Sequence, residues 1–164
     1  EGIVFKGFLY AGVMIRDNEP YVLEYNVRMG DPECQPIIMR MNFDLYDYFV
    51  ASVDGTLSLM PKITWKNQSS VCIVLASEGY PESYPKDEEI TGFDLIPKNV
   101  MVFHAGTKKQ DGKILSNGGR VLGVTALGDT LASAISNAYV AAEKISWPHK
   151  YYRTDIGKKG LSYL

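Results

Sequence analysis

Glu24, Asn26 and Arg28 alternate along the stretch Glu24-Tyr25-Asn26-Val27-Arg28-Met29-Gly30-Asp31-Pro32-Glu33. A carboxylate beside a neutral amide oxygen suits a hard, oxygen-seeking cation such as Mg²⁺. An arginine one step further can hold a phosphate, or a charge that develops during reaction. In an extended strand the three would leave one face, about 6.5–7 Å apart per step of two residues. Tyr25 and Val27 would then pack on the other. The competing reading of this spacing is a polar strand end with a chance ordering of common residues. Asn117-Gly118-Gly119-Arg120 is a second stretch with chemical potential. Its glycines suit a tight connection needing positive φ, and backbone N–H groups beside Arg120 would make a small anion site.

The elements around the first stretch read as a hairpin. Phe8 to Ile15 is an apolar run, hence a buried strand; Arg16 to Pro20 is a turn; Tyr21 to Asn26 is the returning partner. After Gly30-Asp31-Pro32 the pattern turns helical, with Asp31 a possible cap and Pro32 at the first helical position. Pro36 would remove a helical bond, so only a short helix through Met39 is expected. Asn42 reads as the cap of a helix from Phe43 to about Val53, closed by Asp54-Gly55. Its aromatic residues suit helix packing rather than a ligand.

The chain changes character near Trp65, predicting two parts, 1–64 and 65–164. Val71 to Ala76 and Val121 to Leu127 are continuous apolar runs, as in strands buried on both faces. Val100 to Thr107 and Lys113 to Ser116 are strands flanking the Gln110-Asp111-Gly112 turn, and Glu78 to Glu89 is a loop. Thr130 to about Ile145 is the clearest helix, with Leu131, Ile135, Ala138, Ala142 and Ile145 on one face. The fold class is α+β.

Composition excludes several function classes. The 164 residues carry a formal net charge of −2, so no basic field invites nucleic acid. No run of about 18 apolar residues could span a membrane, and Glu1 to Phe5 has neither region of a secretory signal. Cys34 and Cys72 are far apart and in no metal-ligand spacing, which suits buried thiols in a reducing cytosol. His104, in an apolar strand, reads as a core histidine. His149 reads as surface, and Lys113 as a solvated hairpin residue.

Glu24-x-Asn26-x-Arg28 followed by Gly30-Asp31-Pro32-Glu33-Cys34-Gln35 resembles the signature of the glycinamide ribonucleotide synthetase (phosphoribosylamine–glycine ligase) family of ATP-grasp enzymes. Met29 stands where Phe or Leu is expected. The second part resembles the same family's C-terminal domain through Ala76 to Pro81, Phe103 to Thr107, Asn117 to Leu122 and Tyr152 to Gly157. The resemblance implies the tail of an ATP-grasp domain followed by a small mainly-β domain with one long helix. It implies an ATP-dependent ligase joining glycine to 5-phospho-β-D-ribosylamine through a glycyl phosphate, in de novo purine biosynthesis. Glu24 and Asn26 would be metal ligands for Mg²⁺, or Mn²⁺ in its place. No acid stands on the preceding strand, so phosphates and water would complete the coordination. Arg28 would be catalytic, stabilising the transferring phosphoryl group. Asp31 would orient the amine or glycine, with helix capping as the competing role. Asn117, Gly118, Gly119 and Arg120 would hold the sugar phosphate, with Lys113 a poorer second. Arg153 and Asp155 would anchor the C-terminal segment.

The glycine-rich nucleotide grip of such enzymes has no counterpart in these residues. The chain is therefore expected to be the C-terminal part of a longer synthetase, inactive alone and partnered by its missing N-terminal part and by small molecules. A different ATP-grasp ligase, or a binding domain that keeps the polar shelf without catalysis, are the alternatives.

Overall fold

The computed structural model describes residue 2 and residues 4–163, leaving Glu1, Ile3 and Leu164 outside the described residues. Two compact units emerge, Glu1–Cys34 with Met41–Lys66, and Gln35–Arg40 with Asn67–Leu164. Antiparallel sheets and few helices bear out the α+β class, and each unit is described by itself.

In the first unit β1 (Tyr10–Arg16) and β2 (Glu19–Asn26) form a two-stranded antiparallel hairpin. The turn is tighter than the sequence suggested. Arg16 already pairs with Glu19 and Ile15 with Pro20, so only Asp17 and Asn18 are free to turn. Both take positive φ, 52° and 62°, the geometry whose twist matches a hairpin and which Asp and Asn tolerate. A register shift falls between Gly12 and Val13, so Gly12 pairs with Glu24 while Val13 pairs with Val22. β1 is not the buried strand expected. Ile15 is 65% exposed, and Leu23 and Tyr25 on β2 are 67% and 64% exposed. Adjacent positions alternate across the ribbon, so both of its faces carry uncovered apolar side chains.

Asp31, Pro32 and Glu33 form a turn, and α1 (Cys34–Arg40) starts only after it. Asp31 with Pro32 at the first helical position is therefore corrected. Pro36 falls inside the first turn of α1, where its missing N–H would have had no intrahelical partner, so it breaks nothing. α2 (Leu45–Asp54) is capped by Asp44, whose carboxylate accepts from Tyr46 N–H at 2.9 Å, and ends at Gly55 with φ 75°. Asn42 is not the cap: its N–H donates to Thr64 O (3.3 Å), beside a bridge between Met41 and Trp65. The α2 aromatics do pack, Phe49 edge-on to Phe8 and Tyr48 to Phe43.

The second unit is built on β3 (Ser69–Ser77), and a short 3₁₀ turn at Phe93–Leu95 leads to β4 (Val100–His104). β5 (Thr107–Gln110) and β6 (Lys113–Ser116) make a separate hairpin turned at Asp111 and Gly112, and β7 (Arg120–Gly128) follows. α3 (Leu131–Lys144), β8 (Lys150–Tyr151) and α4 (Lys158–Leu161) complete the chain. The main sheet has order β4-β7-β3-β8, antiparallel throughout. The single strand expected over Val100–Thr107 is two strands in two sheets. The break is at Ala105-Gly106, where the Gly106 N–H bonds Arg120 O (2.9 Å) and its Cα lies against Gly118.

Val71, Ile73 and Leu75 of β3 pair with Ala126, Val124 and Leu122 of β7, so these six share one sheet face. They join one core with Ala134, Ala138, Ala141, Ala142 and Ile145. Small residues on α3 let its backbone approach the sheet closely. Thr130 caps α3: its hydroxyl accepts from Ser133 N–H at 3.1 Å, and the Ser133 hydroxyl accepts from Thr130 N–H at 3.0 Å. Thr130→Ala should therefore lower the stability of this unit by about 1 kcal/mol, read as an earlier urea midpoint with an unchanged slope.

Candidate functional site

The end of β2 carries the first candidate cluster. Glu24 pairs across the hairpin with Gly12, Tyr25 with Ala11 and Asn26 with Tyr10. This stretch lies beyond the register shift and is regular, so Glu24 and Asn26 leave the same face. Glu24 is exposed, while Asn26 is half-buried with its Nδ2 enclosed and unpartnered among the described residues. The Glu24 side chain lies back over Gly12, with its Cγ 2.8 Å from where a Cβ on that glycine would stand.

Arg28 does not extend the alternation. β2 ends at Asn26, Val27 and Arg28 form a bend, and the exposed guanidinium donates to Met29 O at 2.9 Å. That uses one of its five N–H donors. Val27, expected to pack, is 72% exposed. Asp31 is exposed in the following turn, and Gly30 is buried against Glu33 and Tyr10. The Cys34 N–H closes the turn onto Gly30 O (3.0 Å). Burial first, and then nearby Asp31, push the Cys34 thiol up. Its sulfur donates to Met29 Sδ at 3.3 Å. A protonated, engaged thiol is a poor nucleophile.

Among the described residues no three His, Cys, Asp or Glu side chains gather to hold a metal. Glu24 and Asn26 nevertheless offer two hard oxygen donors on one strand face. The orphaned atom of Asn26 is its Nδ2, a hydrogen-bond donor with capacity to spare, while the oxygen of the same amide is the atom that could ligate. This donor set fits a cation that keeps several ligand positions for phosphate and water, as Mg²⁺ does.

The second cluster lies in the second unit, at Asn117–Arg120. Neither Gly118 nor Gly119 has positive φ, so the reason expected for the paired glycines is corrected. They are needed for close approach. A Cβ on Gly118 would stand 2.9 Å from Gly106 Cα, and one on Gly119 would stand 1.9 Å from Tyr80 Cδ2. Ser77 holds both carbonyls, its N–H bonding Gly119 O (2.8 Å) and its hydroxyl Gly118 O (3.1 Å). Asn117 N–H donates to Gly106 O (2.8 Å). Arg120 is exposed at the start of β7. The turn is thus a rigid backbone platform with an arginine at its exit.

The remaining candidates are placed as follows. Lys113 pairs with Glu89 at 2.7 Å on the surface, as a hairpin residue should. His104 is exposed rather than in the core: on the edge strand β4, its ring stacks on Phe93 and its Nδ1 meets Thr107 Oγ1 at 3.0 Å. His149, read as surface, contacts the Glu88 carboxylate. Arg153 and Asp155 pair with each other, which raises the first and lowers the second from their usual values. The anchor of the C-terminal segment is Tyr139, which donates to Arg153 O and accepts from Ile156 N–H, both at 2.9 Å. Sequence reasoning had Ser77, Tyr80 and Gly106 inside matching stretches but gave them no role behind the turn, and it gave none to Gly12 behind Glu24. Gly12 did leave a signal, as a glycine inside an apolar strand.

Comparison with known proteins covers the stretches in which both clusters lie. The family model described as phosphoribosylglycinamide synthetase, C domain, matches residues 70–159. That described as phosphoribosylglycinamide synthetase, ATP-grasp (A) domain, matches residues 1–34. The phosphoribosylamine–glycine ligase of Rhodopirellula baltica is 48% identical over 159 residues, 96% of this chain and 36% of that protein. The corresponding ligase of Pasteurella multocida is 48% identical, over 99% of this chain and 38% of its own. The trifunctional purine biosynthetic protein adenosine-3 of Gallus gallus is 44% identical over 100% of this chain and 16% of its own. The crystal structure of phosphoribosylamine–glycine ligase from Thermotoga maritima superposes with a TM-score of 0.81 at 38% identity, over 94% of this chain and 38% of that one. The chain thus spans under two-fifths of the bacterial relatives it matches.

Proposed function

We propose, from the premise that this chain belongs to the phosphoribosylglycinamide synthetase family, that it is the C-terminal part of a ligase. That ligase joins glycine to 5-phospho-β-D-ribosylamine at the expense of ATP, giving glycinamide ribonucleotide, ADP and phosphate in de novo purine biosynthesis. The observation that carries this reading is the Glu24–Asn26 pair on one face of β2, directly upstream of the Gly-Asp-Pro turn.

A carboxylate is a poor electrophile, so glycine must first be activated as glycyl phosphate, and the sugar amine then displaces phosphate. Such a reaction asks for positioning, neutralised phosphate charge and excluded water. Glu24 and Asn26 would hold Mg²⁺, or Mn²⁺ in its place, which supplies charge neutralisation at the β- and γ-phosphates of ATP. Arg28, past the strand end, is free to swing a guanidinium toward the transferring phosphoryl group. Asp31, exposed in the turn and not a helix cap, would orient the amine or the glycine. The Asn117-Gly118-Gly119-Arg120 turn would receive the sugar phosphate, Arg120 providing charge and the held backbone providing shape.

The boundary we propose between the ATP-grasp tail and the C-terminal domain stays at 64/65. The longer relatives support a missing N-terminal part, and so does a hairpin whose apolar side chains lie uncovered on both faces. No helix among the described residues is long and apolar enough to cross a membrane. Two free cysteines suit the reducing cytosol, the compartment we propose.

Two measurements test the reading. The 164-residue chain supplied with ATP, glycine and phosphoribosylamine should show no turnover, and measurable ligation would refute the fragment assignment. In the full-length protein Arg120→Met should raise KM for phosphoribosylamine by roughly tenfold or more, leaving KM for ATP unchanged. An unchanged sugar KM would remove Arg120 from the phosphate site.

A further inference from the structure

Glu24 owes its placement to the residue opposite it. Gly12 pairs directly with Glu24, and the Glu24 side chain folds back across the partner strand into the space a side chain at position 12 would fill. A Cβ there would lie 2.8 Å from Glu24 Cγ, 3.6 Å from Cδ and 3.4 Å from Oε1, and these are the three nearest heavy atoms it would meet. The backbone at Gly12 does not have positive φ. Backbone strain therefore gives no reason for glycine at this position, whereas crowding of the Glu24 side chain by a Cβ does. The register shift immediately after Gly12 reinforces this. With Gly12 against Glu24 and Val13 against Val22, Leu23 is the extra residue of a bulge. Bulges re-aim neighbouring side chains, and here the neighbour is Glu24.

We propose that Gly12 is a positioning residue for the metal-binding carboxylate, setting the direction from which Glu24 reaches a divalent cation. This rests on the reading of Glu24 as a metal ligand given above. Adding a methyl group at position 12 drives Glu24 out of its resting rotamer. The fold is spared, because the atoms displaced belong to one exposed, flexible side chain.

The test is Mn²⁺ binding to the full-length protein in the presence of a non-hydrolysable ATP analogue, followed by electron paramagnetic resonance. The set comprises Gly12→Ala, Glu24→Gln and the double variant. Gly12→Ala should weaken Mn²⁺ binding by roughly ten- to a hundredfold, the range seen when a ligand's supporting group is lost. Its melting temperature should stay at the parent value. Glu24→Gln should weaken binding as well, and the double variant should be no worse than Glu24→Gln alone, since Gly12 acts only through Glu24. Native Mn²⁺ affinity in Gly12→Ala, or losses that add in the double variant, would overturn the proposal while leaving Glu24 as a ligand. Native affinity in Glu24→Gln would instead overturn the metal reading itself. Should Gly12→Ala fail to fold, adding Glu24→Ala removes all three atoms the new methyl meets. Recovery of the fold would uphold the steric relation, and continued unfolding would refute it.

Discussion

Glu24→Gln in the full-length protein is expected to lower kcat for ligation by at least about a hundredfold, with no change in melting temperature. Glu24 is exposed on a hairpin, and nothing in the core leans on it, so its removal leaves packing untouched. What is lost is one negative charge beside the Asn26 amide. Glutamine keeps a neutral oxygen in nearly the same place, so the variant separates charge from shape. The concentration of Mg²⁺ needed for half-maximal rate should rise, and excess Mg²⁺ should recover only part of the activity. Steady-state rates over a Mg²⁺ series, with circular dichroism as the control for folding, decide the matter. Parental kcat at saturating Mg²⁺ would take Glu24 out of the chemistry.

Gly119→Ala should produce the second large effect, this time on stability. The added Cβ would stand 1.9, 2.6 and 2.8 Å from Cδ2, Cε2 and Cγ of Tyr80. The backbone cannot easily retreat, because Ser77 grips the carbonyls of Gly118 and Gly119, and Gly106 lies against Gly118. Tyr80 must move instead. Overpacking costs about 1–3 kcal/mol, and with the Gly119 backbone held but the Tyr80 ring 43% exposed the loss falls within that range. Urea denaturation of the 164-residue chain should show the loss as an earlier midpoint of the second unit. Tyr80→Ala in the same chain should restore most of it, since the three atoms in the way all belong to that ring. If Gly119→Ala unfolds at the parental midpoint, the ring does not occupy that space.

The second unit was the more legible from sequence, for a physical reason. Its strands and α3 bury against each other within the chain, so apolar runs at 71–76 and 121–127 and the Leu131 to Ile145 stripe meant what they usually mean. The first unit was harder. An apolar run such as Phe8 to Ile15 says that something should cover it, not what, and here β1 lies exposed. Caps were misplaced by a few residues because Asn42 and Asp44 are both good capping types, and only geometry chooses Asp44. The break at Gly106 and the crowding at Gly119 depend on residues far away in sequence, Arg120 with Gly118 in one case and Tyr80 in the other. No local pattern encodes that.

The candidate site divides in the same way. Glu24 and Asn26 were legible because strand alternation is a local rule, and the structure places both on the regular end of β2, past the bulge at Leu23. Arg28 was assigned to the same face by continuing the alternation two residues too far, past the end of the strand. Asn117–Arg120 was read as a tight connection, and the chain does bend at Gly118 and Gly119, but the glycines were credited with the wrong task. Positive φ and close approach both demand glycine, and a single sequence cannot separate them.

Ribosomes release a polypeptide from its N-terminus, so β1 and β2 emerge before the rest of this chain has been made. A ribbon apolar on both sides, at that moment, is sticky. If the proposed upstream region has already folded, it can receive the ribbon as soon as Asn26 clears the exit tunnel. The 164 residues made alone have no such receiver, and the newborn hairpin would be left open to aggregation.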